Sequence, residues 1–286
     1  MGVSLAVEAK PSKRRWYQFS MRTLLLLMLL FSGVFAWVGL YVRRAVAQRQ
    51  AVRAIRELGG IVVFAEPSLL NERCMPFREL VGEEGVLNVQ QIFFTASPVT
   101  DAGLIHLRVL RQLEGLALNY TQVSDAGLVH LVGLTQLRHL TLDGTHVSDA
   151  GLVHLRGLTQ LQTLDLAKTQ VTDAGLIHLR NHTQLKHLWL EGTLVSDAGL
   201  VQLREMTQLE QLNLSRTKVS DAGIVHLREM TSLQELWLEG TQVSDEGVVH
   251  LRRMTELQQL DLEHTRVTDA SIAELRTQFP NANIHK

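Results

Sequence analysis

The chain has little of several things on which protein function often depends. Its 286 residues include one cysteine, which excludes an intrachain disulfide and leaves the redox compartment of the protein open. The formal net charge is −1, so the composition does not predict a nucleic-acid partner. The sequence contains no glycine-rich phosphate loop, GxSxG elbow or HExxH helix, and we expect no enzyme activity, metal or cofactor. Aromatic residues are few, so the core must be aliphatic.

Charge is absent from one long stretch near the N-terminus. Residues 23–42 (TLLLLMLLFSGVFAWVGLYV) are uncharged, and a helix of this length spans about 30 Å, the hydrocarbon thickness of a bilayer. We expect a transmembrane helix after a basic cytoplasmic tail, residues 1–22. A cleaved signal peptide is the alternative, although its apolar run is shorter. Similar numbers of Lys and Arg residues lie on the two sides of the span, so they do not determine its orientation. Short basic N-terminal tails commonly stay in the cytoplasm, which favours a repeat domain outside the cytosol.

Two short segments follow this span. Residues 43–60 are rich in helix formers, have a thin apolar stripe and end in a Gly-Gly pair, which predicts a helical stalk. A dimerising coil or a lipid-surface helix is the alternative for this stalk. Residues 61–87 should form an N-terminal cap with a short buried strand at residues 61–64 and a loop at residues 67–75. Cys74 lies in this cap, and nothing beside it marks a reactive thiol.

From residue 88 onward the sequence repeats every 24 residues. The signature Asp-Ala-Gly-Leu, or a close variant, returns without an insertion at Asp101, Asp125, Asp149, Asp173, Asp197, Asp221, Asp245 and Asp269. Leu140 and Leu142 alternate with polar residues, which predicts one short strand in each repeat and a parallel sheet when repeats stack. Ser148 should start the return segment as a helix N-cap, and the Thr145 hydroxyl should bond backbone where the strand ends. Stacked repeats then share one aliphatic core.

The pattern LxxLxLxxTxVxDAGLxxL resembles bacterial leucine-rich repeats of the ribonuclease-inhibitor-like and F-box-type groups. With its basic tail, its FSMRTLLLLMLL anchor and its RAIRELGG stalk, the whole chain resembles bacterial membrane-anchored leucine-rich repeat proteins. The resemblance implies an α/β solenoid over residues 88–286, made of eight repeats and a terminal half-repeat. It places a curved parallel sheet on the concave face and short helices on the convex face, beside one N-terminal transmembrane helix. It also implies a binding scaffold that performs no chemistry.

Departures from the repeat are the best candidates for a binding surface. Strand residues that alternate with the leucines face the concave side, and two of them, Trp189 and Trp237, lie two repeats or about 10 Å apart. Exposed tryptophans flanked by carboxylates are typical of binding hot spots and favour a basic partner, although Lys168 and Arg216 dilute the acidity. The alternative is a solvated sheet face with no partner. The predicted partner-binding residues are Trp189, Glu191, Asn213, Glu235, Trp237, Glu239, Asp261 and Glu263.

Histidines also recur along the repeats. One column contains His106, His130, His154, His178, His226 and His250. A linear row supplies the converging ligands of a zinc site poorly, so we expect solvated residues of the helical side. His182 takes a slot that other repeats fill with Leu or Met, and we expect a partly buried, neutral imidazole there.

These observations predict a non-enzymatic, single-pass membrane protein whose solenoid binds a protein partner of unknown identity through its concave face. Two rival hypotheses remain. The first is a structural role in the cell envelope, in which the solenoid packs against envelope components or against itself. The second is carbohydrate or peptidoglycan binding, in which Trp189 and Trp237 stack on sugar rings.

Overall fold

The computed structural model describes residues 21–65, 82, 84 and 87–286. The chain divides into two compact units, Met1–Arg43 and Arg44–Lys286. The expectations for the basic tail, for Cys74 and for the loop of the cap fall outside the described residues.

The first element is a long helix, α1, which runs from Met21 to Glu57. By length and composition it can cross a membrane, and only 6% of its most apolar window is buried inside the protein. A core helix of a soluble protein would be mostly buried, whereas a signal sequence passes the same test. Within the described part of the chain it is the one helix of this kind.

The last part of α1 differs from the predicted stalk. It is helical as the composition indicates, but Val52 and Ile55 are fully buried in the aliphatic core that continues through the repeats. The Ser97 hydroxyl donates to the carbonyl of Leu58 at 2.7 Å, which ties the end of the helix to the first repeat. Gly59 then adopts φ +83, as expected of a residue that ends a helix. The thin apolar stripe of α1 therefore covers the N-terminal end of the leucine core that the repeats share.

In the described part of the chain, ten strands form one sheet in chain order. β1 pairs antiparallel with β2, and the other neighbours are parallel with Leu116, Leu140 and Leu164 in register. The strand predicted at Ile284 is present and pairs with Leu260. The bounds are β1 Ile61–Phe64, β2 Val89–Phe93, β3 Gly115–Ala117, β4 His139–Thr141, β5 Thr163–Asp165, β6 His187–Trp189, β7 Gln211–Asn213, β8 Glu235–Trp237, β9 Gln259–Asp261 and β10 Asn283–His285.

The prediction that β1 is buried is wrong. Ile61 is 66% exposed and Val63 is 39% exposed, while Val62 and Phe64 pack partly against the core. Successive side chains of a strand point to opposite faces, and β1 lies at the edge of the sheet with only one face covered. Half of its apolar side chains therefore remain outside.

The return segments are short helices. Six of them have four residues, and the C-terminal one is longer. Their bounds are α2 Asp125–Leu128, α3 Asp149–Leu152, α4 Asp173–Leu176, α5 Asp197–Leu200, α6 Asp221–Ile224, α7 Asp245–Val248 and α8 Asp269–Gln278. Segments of 3-10 helix lie at Asp101–Val109, Val153–Leu155, Val225–Leu227 and Val249–Arg253.

The threonine column bonds backbone, as predicted. Each hydroxyl donates to the carbonyl of the leucine three residues earlier, at 2.6 or 2.7 Å. These donors are Thr121, Thr145, Thr169, Thr193, Thr217, Thr241 and Thr265. They satisfy carbonyls at the point where the chain leaves the strand.

The aspartate and glycine of the signature connect one repeat to the next. The Asp125 carboxylate accepts from the backbone N–H of Ser148 at 2.7 Å and from its hydroxyl at 2.6 Å. A Cβ atom on Gly151 would lie 2.4 Å from Oδ1 of Asp125, so glycine leaves room for this carboxylate. The predicted N-cap contact is weaker, since the N–H of Ala150 is 3.4 Å from the Ser148 hydroxyl. Seven such Asp-to-Ser or Asp-to-Thr connections run along the described repeats.

Candidate functional site

The strands place the predicted binding residues side by side on the outer face of the sheet. Trp189 is in register with Asn213, and Asn213 is in register with Trp237. Neighbouring strands lie about 4.8 Å apart, which puts the two tryptophans about 10 Å apart with an asparagine between them. The leucines between these positions point into the core and are fully buried. We call this surface, made of the eight predicted residues, the tryptophan face.

The two tryptophans are half-buried, not exposed as predicted. The imidazole of His187 lies 5.8 Å from the Trp189 ring, measured between centroids. The other residues of the tryptophan face are half-buried as well.

Arg216 offsets part of the acidity of this face. Its guanidinium is 2.8 Å from the Glu239 carboxylate and 3.9 Å from that of Glu191. Glu235 accepts a hydrogen bond from Gln211 at 3.0 Å. The predicted dilution of charge is therefore correct for these two glutamates.

Asn213 and Asp261 also have a structural role that sequence reasoning missed. The Asn213 side-chain oxygen accepts from the N–H of Ser215 at 2.9 Å, and Asp261 accepts from the N–H of Glu263 at 2.9 Å. Asp165 makes the same contact with the N–H of Ala167 at 3.0 Å. Such side chains stabilise the turn at the end of a strand, so one oxygen of each is already occupied.

A cavity of about 300 Å³ opens on the same face, on the N-terminal side of Trp189. We call it the Asp165 cavity, and its lining residues are Thr141, Asp143, Thr163, Asp165, Ala167, Lys168, Trp189, Glu191 and Asn213. Asp143, Ala167 and Glu191 follow neighbouring strands, and backbone bonds from Gly144 to Ala167 and from Lys168 to Glu191 hold them side by side. Ala167 is the smallest of the three, and the space above it forms the cavity.

The electrostatics of the Asp165 cavity are unusual for a sheet face. Burial, followed by the charges of Asp143 and Glu191, raises the pKa of Asp165 to about 6, against the lowering effects of its bond to Ala167 and of Lys168. Asp143 Oδ1 and Thr141 Oγ1 are buried and have no hydrogen-bond partner. A buried carboxylate oxygen without a donor is costly, so Asp143 Oδ1 marks a place where a donor is missing. The Thr141 hydroxyl can donate as well as accept.

The comparisons with known proteins agree with this architecture. Residues 157–179 match a family model described as a leucine-rich repeat. An internalin from Listeria monocytogenes matches with a TM-score of 0.58 and 26% identity, over 67% of this chain and 52% of the internalin. An internalin C2 from the same species matches with a TM-score of 0.56 and 24% identity, over 70% of this chain and 81% of that one. The fold is a leucine-rich repeat solenoid.

No curated protein matches the chain. The chain spans about half of the length of the first internalin. The likeness to the second is one of fold alone. The fold prediction is therefore confirmed, whereas the bacterial membrane anchor and the ribonuclease-inhibitor-like grouping stay predictions.

The histidine column lies on the helical side of the leucine-rich repeats. The Arg156 guanidinium donates to Nδ1 of His178 at 3.0 Å, and burial together with this cation lowers the pKa of His178. Among the described residues, no group of three or more His, Cys, Asp or Glu side chains is placed to hold a metal.

His182 is fully buried, not partly buried as predicted. Its two ring nitrogens lie 3.1 Å from the carbonyl of Leu179 and 3.0 Å from that of Leu155. Burial lowers its pKa, and this effect exceeds the opposite effect of the two carbonyls. The imidazole fills a core slot and is not part of the tryptophan face.

Sequence reasoning missed the Asp165 cavity, because none of Thr141, Asp143, Asp165 or Lys168 was predicted as a site residue. The signal was present in the columns across repeats, where Ala167 lies between two acidic positions. Trp189, Glu191 and Asn213 are shared by the cavity and the tryptophan face, so the two form one continuous surface.

Proposed function

We propose that the chain is a non-enzymatic, membrane-anchored scaffold that binds a protein partner through the tryptophan face. The observation that carries this proposal is the pair of half-buried indoles in register on either side of Asn213. Tryptophans that are held by their neighbours lose little entropy on binding and are enriched at binding hot spots. Solenoids offer such extended sheet surfaces to partners.

The charge of the tryptophan face favours a basic partner segment. Arg216 offsets Glu191 and Glu239, but Asp261 and Glu263 lie beyond its reach at the C-terminal end. A partner with Lys or Arg side chains would add cation–π contacts with the indoles to these ionic contacts.

The anchor of this scaffold is the apolar part of α1, residues 23–42. Its length and composition support a membrane span. In this proposal the basic tail of residues 1–22 stays in the cytoplasm, and the repeats act outside the cytosol.

A photo-crosslinking experiment in cells tests the partner. The photo-reactive residue p-benzoyl-phenylalanine is placed at Asn213, between the indoles, and in a matched chain at Val153, which is 41% exposed on the helical side. We expect a defined protein adduct from position 213 only, lost when Trp189→Ala and Trp237→Ala are combined. Equal adducts from both positions, or adducts that persist in the double variant, would contradict the proposal.

The same experiment separates the rival functions. Adducts of the chain with itself would favour the structural role in the envelope. Absence of protein adducts together with binding of the full chain to a glycan array, again lost in the double tryptophan variant, would favour carbohydrate or peptidoglycan binding.

A further inference from the structure

The Asp165 cavity has more carboxylates than cations among its lining residues. Three lining residues carry carboxylates, Asp143, Asp165 and Glu191, and one, Lys168, carries an ammonium. The Arg216 guanidinium, outside the lining, is 3.9 Å from the Glu191 carboxylate. The Lys168 nitrogen lies 3.3 Å from the Tyr120 hydroxyl and 5.8 Å from the centre of its ring. It is 3.9 Å from Asp143 Oδ1, too far for a hydrogen bond. Lys168 is thus held by Tyr120 and leaves the acceptor of Asp143 open.

The three carboxylates come from neighbouring repeats and line one space. Asp143 Oδ1 and Thr141 Oγ1, both of the β4 repeat, are buried and have no hydrogen-bond partner. Their residues line a volume large enough for a side chain. Asp165 uses one oxygen for the N–H of Ala167. The indole of Trp189 borders the same space and provides an aromatic surface.

We propose that the Asp165 cavity receives the guanidinium group of one arginine side chain of the protein partner, an inference that rests on the proposed function. A guanidinium is planar, carries five N–H donors and stacks on aromatic rings, so it fits several acceptors beside an indole. A lysine ammonium has three donors around one point and cannot use the indole and the spread acceptors equally well. The volume of about 300 Å³ accommodates such a group.

The ionisation of Asp165 should control this binding. Its pKa of about 6 is set by burial and by the charges that face it, namely Asp143, Glu191 and Lys168. A bound cation favours the carboxylate, so binding should be tighter at pH 7.5 than at pH 5, where Asp165 is mostly protonated.

The test measures binding of a small probe, N-acetyl-arginine amide, to the full chain in detergent micelles. Indole ¹H–¹⁵N NMR signals report binding, and Trp189→Phe assigns the signal of Trp189. We expect saturable shifts of that signal with arginine amide, weaker binding of the lysine analogue, and no saturable shift with the uncharged citrulline analogue.

Two variants and one control make the test specific. Asp165→Asn keeps the turn, because Asn213 makes the same contact two strands away, and should weaken binding at least about tenfold and remove its pH dependence. Asp143→Asn should weaken binding to a similar extent. Glu114→Gln is the control, since it removes a half-buried carboxylate outside the cavity and should leave the affinity within about twofold.

The outcomes decide the proposal. No saturable shift at pH 7.5, equal binding of the citrulline analogue, or an equal loss in the Glu114→Gln control would overturn it. The crosslinking experiment tests the proposed function separately. If adducts at position 213 persist in the double tryptophan variant, the proposed partner surface is wrong, even when the probe experiment still shows arginine binding. Arginine binding with all three expected variant effects supports the cavity as an arginine site.

Discussion

Gly247→Ala tests why the Asp-x-Gly signature recurs. A Cβ atom at this position would lie 2.3 Å from Oδ1 of Asp221 in the preceding repeat, so the carboxylate must move. That carboxylate accepts from the N–H of Ser244 at 2.7 Å and from its hydroxyl at 2.6 Å. Hydrogen bonds to a charged group contribute about 1.5 to 3 kcal/mol each, and the gain in helix propensity from Gly to Ala is about 1 kcal/mol. We therefore expect a net loss of about 2 kcal/mol or more.

A double-mutant cycle isolates the steric cause. Asp221→Ala alone should cost about 3 kcal/mol, because both bonds are lost. In that background the added methyl group no longer meets a carboxylate, although it stays 3.1 Å from the Cα atom of residue 221. The gain in helix propensity of about 1 kcal/mol opposes this remaining contact, so Gly247→Ala should cost less than about 1 kcal/mol. The measurement is urea unfolding of the four chains, followed by circular dichroism at constant detergent. If the two substitutions are additive within about 0.5 kcal/mol, the carboxylate does not explain the glycine.

Four further predictions concern single positions and the anchor. The pKa of His182 in the folded protein lies below the ordinary value of 6.5, so the unfolded chain binds the proton more tightly and the protein loses stability as pH decreases through 6.5. His182→Leu should therefore make the free energy of unfolding less dependent on pH. Urea unfolding at pH 7.5 and pH 5 measures this, and a difference between the two pH values that is the same in the variant and the original protein would contradict it. The pKa of Asp165 in the folded protein is about 6, above the ordinary 3.8, so stability is lost as pH rises through 6. Asp165→Asn should therefore raise the free energy of unfolding at pH 7.5 by about 1 to 3 kcal/mol. This increase in the free energy of unfolding should vanish near pH 4. Ile55→Ala should lower the free energy of unfolding by about 2 to 5 kcal/mol in the same assay, since Ile55 is fully buried. Arg53→Ala should lower it little, because Arg53 is exposed. Equal effects of the two substitutions would favour the predicted stalk, which does not pack against the repeats. Protease added to intact spheroplasts should digest the repeats, and a protected repeat domain would reverse the proposed orientation.

The fold could be predicted because its information is local and repeated. Leu140 and Leu142 alternate with polar residues, and this pattern repeats every 24 residues. The pattern therefore determines the strands, their register and the core together, and the structure keeps the register through Ile284. The N-terminal end of the repeat domain was harder to predict from the sequence. Burial of Val52 and Ile55 depends on what the first repeat leaves uncovered, which no local pattern in residues 43–60 reveals.

The candidate site was predicted only in part, for a similar reason. Trp189 and Trp237 stand out from their columns by residue type, and their placement follows from the register. The Asp165 cavity depends instead on the sizes of side chains in three consecutive repeats, and Ala167 has no distinctive chemistry. A gap between neighbours becomes visible only when the columns are compared across repeats.

The charges along the sheet explain why that gap exists. Identical repeats would place identical charges about 4.8 Å apart on neighbouring strands, and like charges at that distance repel. From Asp143 to Glu239 the chain avoids this with a two-repeat alternation, in which Asp143, Glu191 and Glu239 are separated by the small residues Ala167 and Ser215. The last repeat departs from the alternation, because Glu263 follows Glu239 directly in the column.

The turn that follows each strand alternates in the same way. Its left-handed position holds glycine after Asp143, Glu191 and Glu239, as at Gly192 with φ +67. In the repeats between, it holds a long side chain, as at Arg216 with φ +57. Arg216 consequently lies between Glu191 and Glu239 and contacts both. Where Ala167 separates Asp143 from Glu191, the same alternation leaves a small residue flanked by two acids, and the cation of that repeat, Lys168, is held by Tyr120. The alternation of acidic and small residues thus also places an acidic cavity beside Trp189, and this is the cavity in which we propose that a guanidinium of the partner binds.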